Sequence, residues 1–515
     1  MKPYCCTIEL SSASETRLFA QVLSLKLRAG DVVALNGDLG AGKTTLAREM
    51  IRAIAGDGKL DVPSPTYSLA QNYVTQRFEV RHYDFYRLAH ADELVELGLT
   101  DDLDEVVSII EWPDRAAAAL PAQRIEIELG DIRFGEVDGR TVELTADGAA
   151  AARMTRAMEI WFFLRSWFSQ QGLADDEIQI WYMQGDASAR SYARLQMPGR
   201  DVILMDSPRQ PDGPLIRNGL PYSRIAHLAE DIRPFIAIGA QLERHGYSVP
   251  ATHALDAESG LAVIEDLGAR VFGDLIANGH DIEPLYRRAL DVLVRLAKHD
   301  PPFAVEGHAC AHIMPRFDQA TIEIEIELLL DWYVPFCKGQ PVTDDERASF
   351  LAVWRCQSAL LERQSSWILR DFHSPNLIWL PDREGAACIG IIDYQDAVVG
   401  HRAYDVVSLL QDARLDVPEK TEQQLLDYYL ASIKSADPDF DEGGFQHAYA
   451  FFGAQRNTKI LGIFARLAKR DGKSQYLRHI PRLCSYLQRC LGHPELQEIR
   501  AWFAVHLPNV LENGE

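Results

Sequence analysis

The chain has 515 residues, 47% hydrophobic and 25% charged, with a formal charge of −23. That length exceeds one ordinary core and calls for a domain of about 150 residues plus a larger one, with the composition of a soluble globular protein. The acid excess excludes a broad electrostatic grip on nucleic acid, which needs clustered Lys and Arg to displace counterions from phosphates.

The chain opens MKPYCCTIEL, without the apolar h-region of a signal peptide, and Ile160 to Leu164, its most apolar short run, is far below a membrane span. We expect no membrane association and a cytoplasmic location. Eight scattered cysteines with no C-x-x-C pair indicate neither a zinc site nor a disulfide framework. Thr7–Leu10 reads as a strand, and Ser14–Leu27 as an amphipathic helix through Leu18, Val22 and Leu25.

An apolar strand, Val32–Leu35, then leads through Gly37–Thr45, GDLGAGKTT, into a helix-compatible run, Leu46–Ile51. This is G-x-x-x-x-G-K-T in its required strand-to-helix context. Glycines turn backbone N–H groups onto phosphate oxygens, the lysine reaches the terminal phosphates and the threonine hydroxyl meets the metal. Gly37, Asp38, Gly40, Ala41, Gly42, Lys43, Thr44 and Thr45 are the candidate nucleotide-binding residues.

In Val62–Leu69, two prolines hold an extended segment able to present Thr66 to a nucleotide. Phe78–Tyr86 reads as a strand with Asp84 near its end, and Val106–Ile110 as an apolar strand running into Glu111-Trp112-Pro113. Hydrolysis on such a loop needs a magnesium carboxylate besides the loop threonine, so Asp84 and Glu111 are the candidates. Alone, each would be an ordinary solvated strand end. Ile125–Leu129 and Thr141–Leu144 alternate as closing antiparallel strands.

GDLGAGKTT, SPTYSL, HYDFYRL and IIEWP, in that order, resemble the TsaE (YjeE) family, the small ATPase of tRNA threonylcarbamoyladenosine synthesis. The resemblance implies an α/β P-loop three-layer domain over residues 1–148 that binds ATP and Mg2+. It implies work with TsaD and TsaB-like partners, with tRNA reached only through them. It makes Lys43 the phosphate-binding lysine, Thr44 and Glu111 the magnesium ligands, and Thr66 and Asp84 the residues that sense or position the γ-phosphate. Trp112 belongs to the same corner.

Composition shifts to small residues at Ala146–Ala152, and 149–157 is expected as a linker. A helix rich in Trp and Phe follows over Met158–Phe168, with core packing the plain explanation of its aromatics. Ile178–Tyr182, Tyr192–Met197 and Val202–Met205 read as a β-meander. Its small-residue loop, including Gly185, Ser188 and Arg190, is a candidate phosphate cover, though by itself only a hairpin turn. Thr321–Glu327 alternates with period two, the pattern of a strand.

The second strong signal is Leu369–Asn376, LRDFHSPN, followed by an apolar strand and by Ile391–Ala397, IIDYQDA. Asp371 and Asn376 share a loop, and Asp393 follows the intervening strand. Hydroxyl phosphorylation needs such a set: Asp371 accepts the substrate proton while Asn376 and Asp393 hold magnesium on the nucleotide.

These residues resemble the aminoglycoside phosphotransferase superfamily, which implies an α+β protein-kinase-like two-lobed phosphotransferase domain over 158–515. Glu265–Gly268 would be its hinge. GDASARSYARL, VILMDSP, LLLDWY and QRNTKILGIFARL look most like the AmgK-type sugar kinases, acting on the anomeric hydroxyl of N-acetylmuramate and N-acetylglucosamine. The resemblance also makes Thr321–Glu327 a helix. Two departures stand out: VILMDSP has Met205 and Asp206 where many kinases have a lysine, and Leu369-Arg370 replaces the usual start of the H-G-D loop. Arg190 and Arg194 are candidates for the missing charge. Trp332 and Tyr333 could stack on a sugar or simply pack.

We therefore expect a bifunctional ATP-using protein: a tRNA-modification ATPase fused to a sugar kinase of cell-wall recycling. The rival expectations are a nucleotide-dependent switch for the first module. For the second they are a kinase of another hydroxyl, aminoglycoside or choline-like, or a non-catalytic pseudokinase scaffold.

Overall fold

The computed structural model describes residues 3–88, 99, 103–134, 137–183, 190–362 and 365–512. By packing, the chain divides into two compact units, Met1–Pro208 with His253–Asp266, and Arg209–Thr252 with Leu267–Glu515.

In the first unit, β1 (Tyr4–Leu10), β2 (Val32–Gly37), β3 (Ala70–Val74), β4 (Glu79–Asp84), β5 (Val106–Glu111), β6 (Ile125–Phe134) and β7 (Val137–Ala146) form one sheet ordered β1-β7-β6-β2-β5-β4-β3. The central strands β6, β2, β5 and β4 run parallel, while β1, β7 and β3 add antiparallel edges. Both faces are covered. Val33, Leu35, Val107 and Ile109 enter one hydrophobic cluster, and their neighbours Val32 and Ile110 enter another with Tyr83, Phe85 and Leu120. Alternate residues of a strand point to opposite faces, so the two clusters flank the sheet as outer layers. Helices α1 (Ala13–Lys26) and α2 (Lys43–Ala55) contribute to the first cluster. Ser12 starts α1 by accepting a hydrogen bond from the Glu15 N–H.

Residues 149–157, expected as a linker, are helical instead: α3 runs unbroken over Gly148–Gln171. Its apolar residues leave no reason to stay extended, because Met154, Ala157, Ile160, Trp161 and Leu164 are all buried on one side. The chain then builds β8 (Gln179–Met183), β9 (Ser191–Met197), β10 (Arg200–Asp206), β11 (Thr252–Asp256) and β12 (Leu261–Glu265), a sheet ordered β11-β12-β10-β9-β8. One continuous core joins α1, α3 and this second sheet, running from Leu18, Phe19 and Val22 through Trp161 to Ile180, Leu195, Leu204 and Val263. Trp161 meets Phe19 edge to face at 5.4 Å. Polar contacts reinforce it. The Ile180 N–H donates to Gln21 Oε1 at 2.9 Å, and Arg153 grips both Asp31 oxygens at 2.5 and 2.6 Å.

In the second unit, α4 (Gln319–Leu328) is a helix despite its strand-like alternation. Every residue from Thr321 to Leu328 is buried, so the glutamates need partners more than the pattern needs a face. Arg355 binds Glu323 at 2.7 Å, Lys459 binds Glu325 at 2.6 Å, and Arg217 and Arg347 bind Glu327 at 2.5 and 3.2 Å. Strands β13 (Ser365–Ile368) and β16 (Val398–His401) pair antiparallel, as do β14 (Leu377–Trp379) and β15 (Ile389–Ile391). The loops between β13 and β14 and between β15 and β16 carry Asp371, Asn376 and Asp393. Helix α5 (Ala403–Leu410) follows, and α6 (Glu442–Asp471) spans the core. Gly462 of α6 lets it approach the backbone of Leu328, which a Cβ would meet at 2.3 Å. Among the described residues, no helix is long and apolar enough to cross a membrane.

Candidate active sites

The phosphate loop leaves β2 at Gly37, whose positive φ and close approach to the Leu129 carbonyl, 2.3 Å from where a Cβ would stand, admit no side chain. Gly42 caps α2 without a side-chain bond, so the first N–H groups of that helix stay open to an anion. Lys43 Nζ donates to the Gly37 and Asp38 carbonyls at 2.7 and 2.8 Å and sits 3.7 Å over the Trp112 ring. Burial pulls Lys43 below the ordinary lysine range, against the opposing charges of Glu111, Asp84 and Asp38. A cavity of ≈ 320 Å³ is lined by Lys43, Thr44, Thr66, Asp84, Glu111 and Trp112, among others. Gly40, Gly42 and Thr45 line it too.

Parallel pairing of β4 with β5 puts Asp84 opposite Glu111. The Thr44 hydroxyl donates to Glu111 Oε2 at 2.7 Å, and His82 Nε2 lies 2.9 Å from Glu111 Oε1. Asp84 Oδ2 accepts from the hydroxyls of Thr66 and Ser64 at 2.7 and 3.0 Å, and its Oδ1 accepts from the Tyr86 N–H at 3.0 Å. Thr44 and Glu111 form an all-oxygen pair beside a phosphate loop, a donor set that suits a hard cation such as Mg2+. His82, Ser64 and Tyr86 are additions to the residues named from sequence. Only strand register reveals His82, which sits one side-chain alternation before Asp84.

The kinase-like loops are braced from below. The Asp405 carboxylate accepts the N–H groups of Leu369 and Arg370 at 2.7 and 2.9 Å, which pins the backbone just before Asp371. Burial lifts the Asp405 carboxyl to about 7, against the pull of those two bonds and with help from the Asp371 charge. Arg370, which follows Leu369 at the place where such loops usually carry a histidine, turns inward with φ 68°, donates to the Ala226 carbonyl at 2.7 Å and pairs with the fully buried Glu325. Lys459 and Gln455 of α6 complete the shell of Glu325 at 2.6 and 2.8 Å.

Burial raises the Asp371 carboxyl, but His373, Lys459, Arg370 and Arg456 more than reverse that and leave it below the ordinary carboxylate range. Asn376 Nδ2 donates to the Asp371 carbonyl at 3.0 Å, which fixes the amide and leaves its oxygen as an acceptor. Asp393 has φ 60°, and its Oδ1 accepts from Gln395 at 3.0 Å. Non-glycine residues in the left-handed region cost about 1–3 kcal/mol each and gather at functional sites; Trp112, Arg370 and Asp393 all stand in or beside these two sites. The amide oxygen of Asn376 and the carboxylate of Asp393 are again hard donors suited to Mg2+.

Gly185 and Ser188 lie outside the described residues. Arg190 immediately precedes β9, and Arg194 is engaged by Asp266 at 2.7 Å. Tyr333 is buried, its hydroxyl 4.0 Å from the Cys484 sulfur, so it packs, whereas Trp332 lines an open groove.

Comparison with known proteins finds relatives for both parts of the chain. Residues 10–137 match the family model described as threonylcarbamoyl adenosine biosynthesis protein TsaE, and residues 183–443 match the phosphotransferase enzyme family. An N-acetylmuramate/N-acetylglucosamine kinase of Caulobacter vibrioides is 37% identical over 336 residues, 63% of this chain and 91% of that protein. Its counterpart in Pseudomonas aeruginosa is 31% identical over 61% of this chain and 84% of its own. A tRNA threonylcarbamoyladenosine biosynthesis protein TsaE of Rickettsia felis is 40% identical over 120 residues, 23% of this chain and 70% of its own. The chain thus joins a member of the TsaE family to a member of the phosphotransferase enzyme family, an ATP-dependent phosphotransferase.

Proposed function

We propose that residues 1–148 bind and hydrolyse ATP within the tRNA threonylcarbamoyladenosine machinery, and that residues 158–515 transfer the γ-phosphoryl group of ATP to the anomeric hydroxyl of N-acetylmuramate or N-acetylglucosamine in cell-wall recycling. Both activities would be cytoplasmic.

For the kinase, the carrying observation is Asp371 on a loop held by the Asn376 amide and by the Asp405 carboxylate that accepts the Arg370 N–H. The acceptor hydroxyl donates its hydrogen bond to the Asp371 carboxylate and passes its proton there as its oxygen bonds to the γ-phosphorus. The bond from that phosphorus to the ADP oxygen breaks, and ADP leaves. Mg2+ on Asn376 and Asp393 would neutralise charge on the triphosphate. Most of the acceleration in such a transfer comes from positioning and charge neutralisation, so a weakly basic carboxylate suffices. Incubating the full chain with labelled ATP and a panel of N-acetylmuramate, N-acetylglucosamine, an aminoglycoside and choline tests this. Label on none of them would favour a scaffold, and label on choline or an aminoglycoside alone would move the substrate class.

For the first module, Thr44, Glu111, Asp84 and Thr66 converge around the loop lysine in one cavity. That corner supports phosphate binding and water positioning, with TsaD and TsaB-like partners as the context for turnover. Measuring hydrolysis with and without those partners, in a chain whose kinase site carries Asp371→Asn, separates an ATPase from a binding switch.

A further inference from the structure

An open groove of ≈ 850 Å³ lies in the second unit between residues 210–230, α4 and the C-terminal part of α6. Its size suits a monosaccharide with substituents. Tyr222, Leu228 and Trp332 give it amphipathic and apolar walls. The wall is fastened to both kinase-like loops: the Ala226 carbonyl accepts from Arg370, the residue before Asp371, and the Ala229 N–H donates to Asp396 Oδ1 at 2.6 Å, three residues after Asp393.

The charges around the groove are not equivalent. Glu327 is taken by Arg217 and Arg347, Asp331 by Arg347 at 2.6 Å, and Glu230 by the Ser223 hydroxyl at 2.7 Å. Arg470 is held by Asp471 at 2.7 Å. Arg466 differs from all of these. Among the described residues it makes no hydrogen bond or ion pair, and its Nε is buried without a partner. Burial pulls it below the ordinary arginine range. That Nε has lost water without gaining an acceptor, while the planar fork of the half-buried guanidinium fits a carboxylate with two parallel bonds.

We propose that this groove is the acceptor site and that Arg466 reads an anionic substituent of the acceptor, the carboxylate by which N-acetylmuramate differs from N-acetylglucosamine. This rests on the sugar-kinase reading above. Arg466 is then a specificity residue: the neutral sugar uses the same walls without it.

The test compares the full chain with Arg466→Gln and Arg466→Lys, measuring kcat and KM for both sugars and their affinities by calorimetry. Loss of a charge-assisted pair should raise KM and Kd for N-acetylmuramate about tenfold to hundredfold, leave N-acetylglucosamine unchanged, and be partly restored by Arg466→Lys. Equal effects on both sugars, or none, overturn the assignment while leaving the kinase reading intact. Binding of N-acetylmuramate that depends on Arg466 without any phosphate transfer sustains the groove and removes the kinase reading. A wild-type chain that neither binds nor phosphorylates either sugar overturns both.

Discussion

Lys26, in the last turn of α1, donates to the carboxylate of Asp206 at the end of β10, and Arg156 of α3 reaches the other oxygen of the same group at 2.7 Å. The Ser191 hydroxyl adds a third bond at 3.0 Å. Asp206 stands in the strand that lacks the lysine usual in kinases, and it ties the P-loop layer to the second sheet.

Removing Asp206 leaves two largely buried cations facing each other. Asp206→Ala should therefore cost about 3–5 kcal/mol, toward the lower end because both cations keep some exposure. Denaturant unfolding measures it, and a loss below about 1 kcal/mol, the scale of an exposed pair, would show the cluster to be solvated. Burial pushes the Asp206 carboxyl up, but Lys26 and Arg156 outweigh it and leave the pKa below the ordinary value of 3.8. A depressed folded-state pKa stabilises above the unfolded value and ceases to as pH falls through the folded one. The wild type should lose this contribution only below about pH 4, and Asp206→Ala should flatten that acid limb.

The shared core makes a second prediction. Cutting the chain before α3, so that residues 148–515 stand alone, uncovers Trp161, Ile180 and Leu195 where α1 packed. Each fully buried large apolar side chain is worth about 1.5–3 kcal/mol, so the fragment should bind a hydrophobic dye and melt well below the full chain. Equal melting temperatures would make the junction a mere tether.

At the P-loop, Glu111→Gln keeps the shape but weakens the charged acceptor for the Thr44 hydroxyl and for His82. Mg2+-dependent ATP hydrolysis should drop at least about a hundredfold, the scale of losing a positioned charged group, with ATP affinity changed far less. Lys43→Ala should do the opposite and weaken nucleotide binding first. Calorimetry with ATP, with and without EDTA, distinguishes the two.

The kinase site predicts two unlike failures. Asp371→Asn should abolish sugar phosphorylation and leave nucleotide binding largely intact, and retained turnover would sink its role as base. Asp405→Asn should lower kcat through misplacement, because an amide offers one oxygen where Leu369 and Arg370 need two acceptors. The Asp405 carboxyl is raised to about 7, so the folded state binds its proton more tightly than the unfolded chain. Its contribution to stability thus falls as pH rises from about 4 to about 7, opposite in sign to Asp206. Stability curves of Asp405→Asn should lose that slope.

The motifs themselves were legible as chemistry, because a phosphate loop and a base-plus-metal-ligand loop demand residue types at short, fixed spacings. GDLGAGKTT, LRDFHSPN and IIDYQDA needed no tertiary information to be read as ATP-handling segments, and the strands beside them followed from their apolar runs. What depended on the tertiary structure was everything carried by distant partners. His82 joined Glu111 only through the register of β4 on β5, Arg370 found Glu325 45 positions away, and Lys459 reached the same carboxylate from 134 positions away. Helix α4 won over its strand-like alternation because buried glutamates took partners from other elements, and the expected linker at 149–157 became helix because α1 and the second sheet gave α3 a surface to bury. Local pattern records what a segment can do; burial and charge pairing across the fold decide which of those options is the stable one.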